Sequence, residues 1–419
     1  MRKSTDALVA DCGSGFSPET IEAKASPTGI GPGLHLLMYM FKGLRYGRLD
    51  VTLPNGERRE FVGTEPGPHG VLHNHSRRLI GHVLKNGEVG FGEAYLEGLW
   101  DSPDLAALLA VMHRNEPHYR GPYEKNVVSR LIGWVRHRMR ANSRAGARAN
   151  IEYHYDLGNE FYKLWLDDTM AYSSAMFLRP DEGLEQAQLN KFALMYDRLD
   201  LQPEHHLLEV GSGWGGFAIY CAQRSGCRVT SITLSKEQLA EAQRRAVTAG
   251  VADRVTFELR DYRDVQGQYD RIASIEMYEA VGEQYWPAYF GALARALKPG
   301  GRAAIQGITI SPKLFDEYRR KQDFIQKYIF PGGMLCAPGV FQDLAHGAGL
   351  KPLDARFFGT DYADTLAHWH RNVLASRDRI VAQFDERFLR LWRYYLAYSE
   401  CGFRTGSVDL MQITLGKPA

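Results

Sequence analysis

The chain has 419 residues, 44% of them hydrophobic, enough for two or three domains with real cores. Five cysteines, odd in number and without a CxxC pair, exclude a disulfide framework or a zinc site and indicate a reducing compartment. The formal net charge of +2 hides a strong local imbalance, and no apolar run reaches the roughly 18 residues of a membrane span.

Residues 1–32 are rich in Gly, Pro, Ser and Thr and read as a mobile leader; no long apolar run follows Arg2 and Lys3, so no signal peptide is expected. From His35, HLLMYMFKGLRYGR is apolar and ends in Lys42, Arg45 and Arg48, which suits a packed helix or an interfacial segment. LDVTLPNGERREFVG alternates around Asn55-Gly56, a hairpin signal, and a second turn is expected at Asn86-Gly87. Trp100 to Asp104 caps the helix LAALLAVMHRN. Residues 33–118 therefore read as a small α+β domain without a catalytic constellation; His73 and His75, flanking Asn74, read as a turn or surface pair.

In 119–150, Arg120, Lys125, Arg130, Arg136, Arg138, Arg140, Arg144 and Arg148 face the single acid Glu124. With Val127, Leu131, Ile132 and Trp134 interleaved, this reads as a basic amphipathic helix and a polar linker. It suits an anionic surface, and the scarcity of aromatic stacking platforms favours lipid over nucleic acid. The bland alternative is a solvated helix joining two domains.

From Leu207 the pattern becomes strand, helix, strand, helix. LLEVGSGWGG (207–216) is a strand and glycine turn, followed by strands in CRVTSITLS, DRVTFELRD, YDRIASIEM and RAAIQGITI, with helices between them and helices onward to the C-terminus. Such alternation predicts an α/β, doubly wound, mainly parallel sheet that binds ligands at the carboxyl ends of its strands. There lie the glycine loop with Glu209, then Thr233, Asp261, Glu276 and Glu279. The loop spacing is GxGxGG with no GK[ST], which disfavours phosphates and suits a nucleoside. S-adenosylmethionine fits, since acids can accept from ribose or adenine and a sulfonium prefers aromatic and carboxylate neighbours.

Several stretches together carry a resemblance: YHYDLGNEFYKLWLDDTMAYSSAMF (153–177), LEVGSGWGG, SITLSKEQ (231–238), SIEMYEAVG (274–282), DFIQKYIFPGGML (323–335), GTDYADTL (359–366) and ECGFRTG (400–406). Over about residues 35–417 the chain resembles the cyclopropane fatty acid synthase family of S-adenosylmethionine-dependent enzymes. The resemblance implies a Rossmann-like class I methyltransferase domain over 151–419, with a helical lipid-binding insertion at about 311–358. It implies cofactor contacts from Tyr172, Ser173, Gly211, Gly213, Thr233, Gln238, Tyr262 and Arg263, beside Glu209 and Asp261 read above. It further implies a cis double bond on a phospholipid acyl chain as substrate. The alkene takes the methyl group, and a bound bicarbonate removes a proton to close the ring.

That bicarbonate site would fall on Ser174, Glu279, Gln306, Ile308 and Tyr362. Ser174 and Gln306 depart from the family's Cys and His, Ala280 replaces a His, and Glu276 stands where Gly is usual. A carboxylate at Glu276 would repel a nearby anion or act as base itself, so the product is either a methyl-branched or methylene-bearing chain or a cyclopropane. The expected setting is the cytoplasm, at the inner face of the cell membrane. The expected partners are anionic phospholipids, a second copy of the chain and a downstream reductase or desaturase, with no metal and no nucleic acid. Alternatives are a methyltransferase of small molecules or RNA, and a non-catalytic lipid- or cofactor-binding relative. Trp165, Trp369, His368 and His370 read as packing, Tyr328 to Gly333 as the wall of a lipid channel, and Cys401 as inert.

Overall fold

The computed structural model describes residues 32–119 and 157–419. The leader, Cys12, the basic segment from Arg120 and the YHYD of the 153–177 stretch lie outside the described residues. The described residues form two compact units, one of 32–119 with 377–392 and one of 157–376 with 393–419.

In the first unit, strands β1 (Tyr46–Thr52), β2 (Arg58–Val62), β3 (Glu65–Asn74) and β4 (Trp100–Asp101) form a sheet of order β2-β1-β3-β4. β1 and β2 pair antiparallel across Asn55-Gly56, where Gly56 takes φ 83° and its N–H donates to the Leu53 carbonyl at 2.8 Å. Asn86-Gly87 instead breaks a helix, Arg78–Leu96, with Gly87 at φ 57° and ψ −129°. Leu79, Ile80, Gly90, Ala94 and Tyr95 are buried at helical spacing, so the turn joins two helical stretches rather than two strands. Asp104 caps the helix Leu105–Tyr119, accepting from Ala107 N–H at 2.9 Å. Buried Asn115 in that helix accepts from the N–H groups of Arg45 and Tyr46 and donates to the Tyr46 carbonyl, fixing the start of β1. Arg390, from the stretch 377–392, stacks 3.9 Å over Tyr95 and pairs with Asp101 at 3.0 Å. In the helix Pro32–Phe41, Phe41 packs edge-on against Phe61 at 5.6 Å, while Arg45 and Arg48 pair with Glu65 and Asp50.

The second unit holds a seven-stranded sheet of order β10-β11-β9-β8-β5-β6-β7. The parallel strands are β5 (His206–Val210), β6 (Arg228–Thr233), β7 (Val255–Leu259), β8 (Tyr269–Ile275) and β9 (Leu297–Ile310), at the places the sequence predicts. Strand order reverses between β5 and β8, so the ligand crevice of a doubly wound sheet falls there. The C-terminal part departs from expectation. Helices do not run to the end: β10 (Lys351–Phe357) and β11 (Val408–Gly416) complete the sheet, β11 lying antiparallel to both β9 and β10. Nearly every residue of β11 is buried, so it lacks the alternation that marks a half-exposed strand. β10, an exposed edge strand reading KPLDARF, carries little apolar signal of any period. Between β9 and β10 lie the short helices Pro312–Tyr318, Phe324–Tyr328 and Pro338–Gly347.

Candidate functional site

The glycine loop opens the site. Gly211, Gly213 and Gly215 all take positive φ (98°, 49° and 83°), a backbone path that L side chains resist. Gly215 also has no room for a side chain: an added Cβ would lie 2.9 Å from Phe257 and 3.0 Å from Ala242. The loop bounds a cavity of about 160 Å³ at the carboxyl ends of β5, β6 and β8. Glu209, 2% exposed, accepts a hydrogen bond from the Ser231 hydroxyl, whose oxygen also lies 2.8 Å from that of Ser212. Burial pushes the Glu209 carboxyl up to about 8, against the pull of Ser231 and Lys191. At the end of β6, Thr233 Oγ1 donates to Gln238 Oε1 at 2.9 Å, placing a polar pair on the wall.

Tyr172 and Ser173 also line the cavity. The Tyr172 ring lies 5.3 Å from Trp165 and 5.5 Å from Trp369, and its hydroxyl meets that of Tyr395 at 2.7 Å. Such a wall suits a cation on a ligand. Tyr262 and its neighbour Arg260 also face the cavity. Asp261 and Arg263 do not: they pair with each other, Arg263 Nε donating to Asp261 at 2.8 Å, and the carboxylate also accepts from the Arg263 N–H.

At the same cleft lies a cluster of acids. Glu276, at the end of β8, lines the cavity and takes φ 49°, an unusual conformation for a non-glycine residue that costs about 1–2 kcal/mol. Its Oε1 accepts from Ser174 N–H at 2.9 Å and Gln306 Nε2 at 2.8 Å, and its Oε2 from the Tyr362 hydroxyl at 2.6 Å. Gln306, fully buried, has its own carbonyl oxygen held by Gln412 Nε2 at 2.7 Å, so its amide is oriented towards Glu276. Burial raises the Glu276 carboxyl above the ordinary range while these three donors oppose the rise. Burial and the neighbouring Glu276 keep the Tyr362 phenol protonated, hence a donor.

Glu279 follows on the next turn. Its Oε1 accepts from Ile308 N–H at 2.6 Å, and its Oε2 is buried without a hydrogen-bond partner among the described residues. Burial, then the like charge of Glu276, pushes its carboxyl up to about 8. The native protein therefore keeps a proton that the unfolded chain loses near 4.5. The stability this contributes is full below that pH and is lost as the pH rises to about 8. The unfolding free energy in urea is expected to fall from about pH 5 to about pH 8, and to fall less steeply in Glu279→Gln. Equal slopes for the two proteins would contradict the assignment.

Residues 142–413 match the protein family described as mycolic acid cyclopropane synthetase. The chain belongs to this cyclopropane synthetase family. It is 41% identical over 353 residues to the tuberculostearic acid methyltransferase UfaA1 of Mycobacterium tuberculosis, across 80% of this chain and 81% of that one. It is 34% identical over 336 residues to the cyclopropane-fatty-acyl-phospholipid synthase of Escherichia coli, across 80% and 85%. Among solved structures, the mycolic acid cyclopropane synthase CmaA1, complexed with SAH and CTAB, superposes with a TM-score of 0.62 at 31% identity, covering 64% of this chain and 98% of CmaA1.

Within this cyclopropane synthetase relative, the residues fit one group implied by the family and not the other. The cleft fits S-adenosylmethionine: Gly213 borders it with no atom within 4 Å of a would-be Cβ, and Glu209, Thr233 and Gln238 line it together with Tyr172 and Tyr262. Bicarbonate does not fit. Ser174 N–H, Gln306 and Tyr362 already donate to Glu276, Ile308 N–H donates to Glu279, and an anion there would meet the Glu276 carboxylate. The Ser174 hydroxyl turns away altogether, donating to the Ala175 carbonyl at 2.8 Å.

The sequence reading missed Lys191 and Gln188. Both are fully buried on the helix Leu184–Leu199, Lys191 donating to Ser173 Oγ at 2.6 Å and Gln188 to the Ser173 carbonyl at 2.8 Å. Burial lowers the Lys191 ammonium to about 8, opposed by Glu276, Asp167 and Glu209. The one available signal was position: both occupy the apolar stripe of Leu184, Met195 and Leu199, where a polar residue needs a buried partner. Met334, directly after the YIFPGG stretch, reaches the site through backbone, its N–H donating to the Glu279 carbonyl at 2.8 Å.

Proposed function

We propose that this protein transfers the methyl group of S-adenosylmethionine to the cis double bond of an unsaturated acyl chain on a membrane phospholipid, yielding a methylene-bearing chain. A separate reductase would convert that product to a methyl branch. The observation that carries the reading is the junction of two features at one cleft: a glycine-loop seat for a nucleoside and Glu276, held by Tyr362. Bound S-adenosylmethionine supplies an electrophilic methyl group, which the alkene π pair can attack to leave a cation on the adjacent chain carbon. The protein's part is to hold that cation beside carboxylate and aromatic groups, exclude water and accept one proton. Tyr172 lines the cavity, backed by the buried Trp165 and Trp369, and Tyr362 packs edge-on against Trp369. Family membership and the similarity to a fatty acid methyltransferase and to a phospholipid synthase support a lipid alkene as the acceptor.

The branched rather than ring product is supported by Glu276, which replaces the residue set expected for ring closure with a carboxylate of the chain itself. Action at a membrane from the cytoplasmic side is supported by the basic composition of 119–150. No helix among the described residues is long and apolar enough to cross a membrane.

The test is direct. Incubation with S-adenosylmethionine and phosphatidylglycerol vesicles bearing oleoyl chains should release S-adenosylhomocysteine and add one CH2 to the chain, with NMR signals of a terminal methylene. Upfield ring protons would overturn the branched product. Release of no S-adenosylhomocysteine would overturn the enzymatic reading.

A further inference from the structure

We propose that Glu276 is the resident catalytic base of this enzyme, its carboxylate occupying the anion seat that relatives would fill with bicarbonate. The inference rests on the alkene-methylating reading above and names how that reaction ends.

Three observations converge on it. First, three donors from three separate parts of the chain, Ser174 N–H, Gln306 Nε2 and Tyr362 OH, meet at the two oxygens of one carboxylate. Those are three of the five positions where an anion site was expected, and they form an oxyanion-like nest already filled by the protein. Second, Glu276 lines the same cleft as the glycine loop. Third, the residue is held at φ 49°. A side chain kept in a backbone region suited to glycine persists where surrounding contacts over-determine it, and such sites cluster at active centres. Ala280, on the cleft wall, offers no competing base, and the fully buried Lys191 lies near enough to Glu276 to favour its ionised form.

The step balances without an added reagent. The alkene π pair forms the new C–C bond as the methyl–sulfur bond breaks. A hydride then moves from the methylated carbon to its cationic neighbour. Glu276 takes a proton from the new methyl group, and the electron pair of that C–H bond becomes the double bond between the methylated carbon and the new CH2. The carboxylic acid returns the proton to water before the next turnover.

The experiment measures S-adenosylhomocysteine release on oleoyl phosphatidylglycerol vesicles in CO2-free buffer, with and without added sodium bicarbonate. The wild-type rate should be the same in both. Glu276→Gly and Glu276→Gln should each lose about a hundredfold or more, the range general-base removal gives, while binding S-adenosylhomocysteine as the wild type does. Glycine suits φ 49°, so Glu276→Gly is expected to fold. Bicarbonate or formate should restore much of the rate in Glu276→Gly, whose cavity is open, and none in Glu276→Gln, whose amide fills it. Wild-type stimulation by bicarbonate, full activity of either variant in CO2-free buffer, or no rescue of Glu276→Gly would each overturn the assignment. Silence of the wild type would instead count against the alkene-methylating reading, so the two failures are distinguishable.

Discussion

Gly213→Asn is expected to weaken S-adenosylhomocysteine binding about a hundredfold, close to 2.7 kcal/mol, while the protein stays folded. Gly213 takes φ 49° and borders the cavity, and an added Cβ there meets no atom within 4 Å. The side chain would thus enter the space where a nucleoside must lie. Asparagine is chosen because it tolerates left-handed backbone better than other residues, which separates occlusion from strain. Titration calorimetry measures the affinity, and the thermal midpoint without ligand reports the fold. Undiminished affinity in a folded variant would show that the loop is not the cofactor's seat.

Gly307→Ala is expected to lower the unfolding free energy by about 3 kcal/mol and to reduce activity with it. A methyl group at position 307 would stand 2.0 Å from Tyr278 Cε1 and 2.8 Å from its Cδ1. Tyr278 cannot retreat easily. Its hydroxyl donates to the Ile308 carbonyl at 2.5 Å, and its ring packs edge-on against Phe341 at 5.2 Å. Relief must come from a shift of β9, and Gln306 and Ile308, on either side of the substitution, hold Glu276 and Glu279. Gly339→Ala provides the control, since its Cβ would meet nothing within 4 Å in the helix Pro338–Gly347. Chemical denaturation of the three proteins decides the matter: a Gly307→Ala variant as stable as Gly339→Ala would remove the clash from the account.

Much of the methyltransferase sheet was legible because its information is local. Strands β5 to β9 are short apolar runs separated by glycine turns and amphipathic helices, and the GxGxGG loop encodes its own positive-φ path. The ends of β6 and β8 likewise carry their polar residues, Thr233 and Glu276, in the sequence itself. β10 and β11 were not legible in that way. Their pairing joins residues 351–357 and 408–416 to a strand that ends at 310, and no local pattern announces so distant a partner. The turn at Asn86-Gly87 was visible, but whether it joins strands or helices depended on which face of the flanking segments became buried.

The division is sharpest in the site. Residue type and spacing alone determined that the chain binds a nucleoside without phosphates and carries carboxylates at the ends of its strands. The family resemblance singled out Glu276 as the departure that bears on the product. Only the tertiary structure decided where each donor points. Asp261 and Arg263 neutralise each other away from the cleft, Lys191 is buried and donates to Ser173, and the Ser174 N–H, Gln306 and Tyr362 point to Glu276. Such pairings join groups 86 and 102 residues apart, and each forms because a buried polar atom without a partner costs more than the ordering that supplies one. That requirement acts on the packed interior, so it is met in three dimensions and leaves little trace in sequence order.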